Sequence, residues 1–222
     1  MIFFSNLIQQ LGETLKLRQQ VIATATVFMK RFYARNSLKC IDPLLLAPTS
    51  VFLASKVEEF GVISNSRLIS TCQTVIKNKF GYAYSQEFPF RMNHVLECEF
   101  YLLESMDCCL IVYQPYRPLV QYMQDLGAES EVLQLGWKIV NDSLRTDACL
   151  LFAPYEIALV YQKDCKQWFA ELNCDLDRIM EITKYILNLY ELWKSYDERK
   201  EIASILQKIP KPSTQPPQPG SR

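Results

Sequence analysis

The chain has 222 residues, enough for one large domain or two small ones, and its 49% hydrophobic and 22% charged residues match a folded globular protein. Lys plus Arg and Asp plus Glu both number 24, so the formal net charge is zero and the basic excess of a dedicated nucleic-acid binder is absent. Only six glycines argue against a turn-rich all-β fold; no apolar run reaches the roughly 18 residues of a membrane span, and the N-terminus carries no secretory-signal pattern.

Apolar residues recur with a helical period almost throughout, so the expected class is all-α. Phe4, Leu7, Ile8, Leu11 and Leu15 form one face of a first helix. The pattern starts at once, without a capping residue, which predicts that the chain begins inside a helix. A second helix is expected from about Leu17 to Arg35, with Val21, Ala25, Phe28 and Phe32 on one face. Asp42 reads as an N-cap with Pro43 in the first turn of a third helix that runs to about Phe60. That helix is apolar nearly all round, which places it at the centre of a core. Pro48 inside it should bend it or remove one backbone bond, and Gly61 reads as its stop. Further helices are expected at about Ser66–Lys79 and Arg91–Asp107.

The stretch from Tyr113 to Pro118 reads as a turn between halves. Beyond it, helices are expected near Pro118–Leu126, Glu131–Leu151, Pro154–Gln162, Lys166–Leu172, Leu176–Trp193 and Arg199–Lys208. The organisation expected is therefore a first fold over 1–110, a second over 111–207 and a Pro-rich tail over 208–222 that buries no core. No period of 30 to 50 residues appears, which argues against a solenoid.

Two places break the apolar pattern. Met92, Val95, Leu96, Leu102, Leu103 and Met106 form a stripe, and Glu99 lies in it. A carboxylate there must be paired or hydrogen-bonded, or else sit at the stripe's edge and reach water. Lys56, near the end of the third helix, is its natural partner, although a lysine there also suits the helix dipole. Glu58 and Glu59 stand at the unfavourable end of that dipole, so either something outside the helix compensates them or they are solvated. Lys56 and Glu99, flanked by Leu53, Val57 and Leu103, would form a polar pair within an apolar patch, suited to docking another protein.

The run Pro43-Leu-Leu-Leu-Ala-Pro-Thr-Ser-Val-Phe-Leu-Ala-Ser-Lys-Val-Glu-Glu59 resembles the third helix of a cyclin box, and Leu96-Glu-Cys-Glu-Phe-Tyr-Leu-Leu-Glu104 resembles its fifth. The resemblance implies two five-helix cyclin folds in tandem. In that family a lysine and a glutamate contact the kinase partner near its regulatory αC helix. Matched position by position, those roles fall on Lys56 and Glu99, with Leu53, Val57 and Leu103 at apolar contact positions and Glu58 and Glu59 closing the same surface. The stretches Gln19–Val27, Lys30–Arg35, Met106–Tyr113 and Asp197–Glu201 are similar to the cyclins of the Mediator kinase module. This implies a cyclin-dependent kinase of that module as partner, with its other subunits, and a nuclear role in RNA polymerase II transcription. The family pattern carries an N-terminal helix before the point where this chain begins. It also has a central helix about two turns longer at Pro154–Asp164, so the second fold is expected to be incomplete.

Other classes fit less well. A cyclin-fold general transcription factor that binds DNA needs a basic face, which the balanced charge does not supply. The eight cysteines form no C-x-x-C pair, and the lone His94 is four residues before Cys98 on one expected helix, so neither a zinc site nor a cysteine–histidine nucleophile is expected. No Gly-rich phosphate loop is present, and no catalytic group or cofactor is expected.

Overall fold

The computed structural model describes residues 1–160, 172 and 174–209. The described residues are helical with no strand, and no helix among them is long and apolar enough to cross a membrane. The described residues divide into two compact units, one holding Phe3–Ile111 together with 197–209, the other drawn from Val112–Tyr196.

In the first unit α1 spans Ile2–Thr14, α2 Gln19–Arg35, α3 Pro43–Val57, α4 Asn65–Lys79 and α5 Met92–Ser105. Helix α3 is the hub, packed on both α2 and α5. Its sequence explains this, because every residue from Leu46 to Ser55 is buried, polar Thr49, Ser50 and Ser55 included. Asp42 caps α3 by accepting from the Leu44 amide at 2.8 Å, and Pro43 begins the helix without a donor to waste. Burial pushes the Asp42 carboxyl above its ordinary value, and the Leu44 amide works the other way. The helix continues through Pro48.

Three helices here end where no glycine marks the stop. After α3 the Phe60 amide donates to Ser55 O at 3.1 Å and the Glu59 amide to Lys56 O at 3.2 Å, with Glu59 at φ 51°. This is a Schellman ending with Glu59 as its left-handed residue. The stop expected at Gly61 therefore comes two residues early. The same pair of bonds closes α1 around Lys16, φ 60°, and α5 around Asp107, φ 50°.

The last helix, α11 (Glu198–Lys208), packs on the first unit. The second fold had been expected to run to 207. Glu198 accepts from Tyr82 Oη at 2.6 Å and from Asn6 Nδ2 at 3.2 Å, and Ile202 is buried.

The second unit contains α6 (Tyr116–Asp125), α7 (Ser130–Ser143), α8 (Ala148–Leu151), α9 (Pro154–Ile157) and α10 (Leu176–Ser195). The single helix expected over 131–151 breaks after Ser143. Ser143 and Thr146 turn their hydroxyls back onto the carbonyls of Val140 and Ser143, both at 2.7 Å, and so compete with the helical ladder. A core cluster joins Ala148, Phe152, Ile157, Ile182 and Ile186. Glu156 is clamped by Arg178 at 2.5 and 3.0 Å and also accepts from the Ala153 amide at 2.8 Å. Helix α9 is one turn, and Leu176, Met180 and Leu187 stand exposed along α10. The helix expected at 166–172 and the tail from 210 fall outside the described residues, except for Leu172.

Candidate partner-docking site

The site begins with the geometry of α5. Val95, Cys98, Leu102 and Met106 are buried and fix one side of it against the core. Cys98 faces Thr49 of α3, and burial pushes its thiol up to about 11. A second apolar stripe, Leu96, Phe100 and Leu103, recurs at i, i+4 and i+7 beside the first. Leu96 is exposed, Leu103 half-buried, and Phe100 is 73% exposed. Glu99 lies between the two stripes at 8% exposure.

Lys56 answers Glu99. Its Nζ forms an ion pair with Glu99 Oε1 across the junction of α3 and α5. The same ammonium sits 4.5 Å from the centroid of the Phe52 ring, a cation–π contact. The lysine keeps about a third of its side chain exposed while the glutamate keeps a tenth. The pair is therefore fixed within the first unit and still reachable from outside.

The other expected contact residues divide by placement. Val57 is half-buried beside Lys56, and Glu59 is exposed in its left-handed turn. Leu53 is 3% exposed, a core side chain beneath the patch. Glu58 turns towards α2, where Oε1 accepts from Thr24 Oγ1 at 2.6 Å and Oε2 from Gln20 Nε2 at 2.7 Å. These two donors compensate the carboxylate that the α3 dipole disfavours. Phe60 and Val62, in the turn after α3, are exposed as well, with the Arg18 guanidinium 5.8 Å from the Phe60 ring.

Phe100, Phe60, Val62, Thr24 and Gln20 were missed from the sequence. For Phe100 the signal was present in its i+4 spacing from Leu96. For Thr24 and Gln20 there was none, because their bond to Glu58 depends on how α2 meets α3. His94, on α5, accepts from the Arg91 amide at 3.0 Å through Nδ1 and serves the helix start. Among the described residues no group of His, Cys, Asp and Glu is arranged to hold a metal.

Residues 3–111 match the family "Cyclin, N-terminal domain". Cyclin-C of Drosophila melanogaster is 70% identical over 97% of this chain and 84% of its own length. Cyclin-C of Rattus norvegicus is 65% identical over 97% of this chain and 80% of its own. Among solved structures, a chain of the yeast RNA Pol II CTD kinase CTDK-1 complex superposes with a TM-score of 0.70 at 15% identity, covering 93% of this chain and 73% of that one, a likeness of fold. The helical architecture and these identities over nearly the whole chain agree: the chain belongs to the cyclin family, in its cyclin-C branch.

Proposed function

We propose that this chain is the regulatory subunit of a cyclin-dependent kinase, that of the Mediator kinase module, and acts on RNA polymerase II transcription in the nucleus. The observation that carries the reading is the Lys56–Glu99 pair between α3 and α5, beside a stripe of exposed Leu96 and Phe100 and half-buried Leu103. Fixed charges next to apolar anchors suit an amphipathic helix of a partner: the anchors supply affinity and the charges supply register. The chain would contribute no catalytic group. By docking on the kinase's regulatory helix it would hold that helix inward, where the kinase's own Lys–Glu pair forms.

Phe100→Ala tests the anchor. Because Phe100 is mostly solvent-exposed in the free chain, the substitution should leave folding intact and weaken kinase binding about tenfold or more, about 1.4 kcal/mol. Unchanged affinity by calorimetry would show that Phe100 is not an anchor of the interface.

A further inference from the structure

Two adjacent cysteines, Cys108 and Cys109, follow the turn that closes helix α5, and both are exposed. Their main chain is pinned. The Cys108 amide donates to Leu103 O at 3.0 Å, the Cys109 amide donates to Met106 O at 2.9 Å, and Arg31 Nη1 donates to Cys109 O at 3.2 Å. Neighbouring Cα atoms stand about 3.8 Å apart across a trans peptide. Two exposed thiols are thus carried by neighbouring residues of a fixed backbone, free of the burial that encloses Cys72 and Cys98. Docking through Lys56 and Glu99 makes no use of them.

We propose that Cys108 and Cys109 form a dithiol site for trivalent arsenicals and like thiophilic metalloids. Thiolate is the soft ligand such centres select, and the first As–S bond makes the second intramolecular. With phenylarsine oxide as probe, two As–S bonds form while the As–O bond and both S–H bonds break. The oxygen leaves as water with the two thiol protons, and arsenic stays trivalent, so no oxidant or reductant is needed. Ordering of the backbone before binding lowers the entropy cost of closing the ring.

The test uses the full chain, reduced, titrated with phenylarsine oxide and read by intact mass. Wild type should take up one phenylarsenic group with loss of water. An excess of 2,3-dimercaptopropanol should remove it, and the same excess of 2-mercaptoethanol should not. Cys108→Ser and Cys109→Ser should each weaken capture about a hundredfold or more, since each leaves a single As–S bond. Cys40→Ser, at an exposed cysteine elsewhere, should capture as wild type does. The proposal is overturned if the Cys108→Ser/Cys109→Ser double variant still gives dithiol-reversible capture, if the monothiol strips the wild type, or if Cys40→Ser abolishes capture.

Discussion

Thr24 on α2 donates a 2.6 Å hydrogen bond to Glu58 at the end of α3, so the helix that carries Lys56 is anchored at its C-terminus by a neighbour as well as by its own Schellman ending. Thr24 is fully buried. Thr24→Val keeps the shape and removes the donor, leaving one oxygen of a half-buried carboxylate short of a partner. We expect a loss of about 1–3 kcal/mol in denaturant unfolding followed by circular dichroism. No loss would mean that Glu58 is equally well satisfied by water.

Lys16 occupies a left-handed turn at φ 60° and its side chain is exposed. A side chain with a Cβ costs about 1–2 kcal/mol there, and glycine does not pay it. Lys16→Gly should therefore raise unfolding stability by about 1 kcal/mol. A fall in stability would show that Lys16 makes a compensating contact.

Gly12 lies inside α1, where alanine is worth about 1 kcal/mol more helix propensity. A Cβ at Gly12 would stand 2.3 Å from Ile22 Cγ1 and 2.6 Å from its Cδ1, and Ile22 is itself buried. Overpacking should win, so Gly12→Ala should destabilise the chain by about 1–3 kcal/mol. A stabilised variant in thermal melts would contradict the close approach of α1 to α2.

The Arg178 hydrogen bonds hold the Glu156 carboxyl below its ordinary value of 4.5, against burial, which acts the other way. A carboxyl with a lowered folded-state pKa stabilises fully above its unfolded value, and that contribution is lost as pH falls through the folded value. The second unit should therefore weaken in acid below the ordinary value of 4.5. Trp137, Trp168 and Trp193 all lie in the second half, so tryptophan fluorescence reports on that half alone. Arg178→Gln should flatten this pH dependence; an unaltered acid titration would show that the pair does not govern it.

The sequence made the helices legible because their buried faces repeat at 3.6 residues, as in Val95, Cys98 and Leu102. It also placed Lys56 opposite Glu99, since a carboxylate in a buried stripe demands a partner. Three of the helix stops were not legible, because Lys16, Glu59 and Asp107 take left-handed conformations that their side chains disfavour and that only the surrounding packing enforces. The anchoring of Glu58 was hidden for a related reason: Thr24 and Gln20 are ordinary helix residues until α2 and α3 cross. The break after Ser143 depends on hydroxyls bonding back to the main chain, a competition that apolar periodicity does not register.

The most direct test exchanges the charges of the central pair. Lys56→Glu combined with Glu99→Lys keeps an ion pair between α3 and α5, so the first unit should fold, while the charges shown to a partner are reversed. Measured by calorimetry against the cyclin-dependent kinase of the Mediator module, the doubly exchanged chain should bind about tenfold or more weakly than wild type while melting as a folded protein. Binding within about twofold of wild type would contradict the docking surface assigned to Lys56 and Glu99.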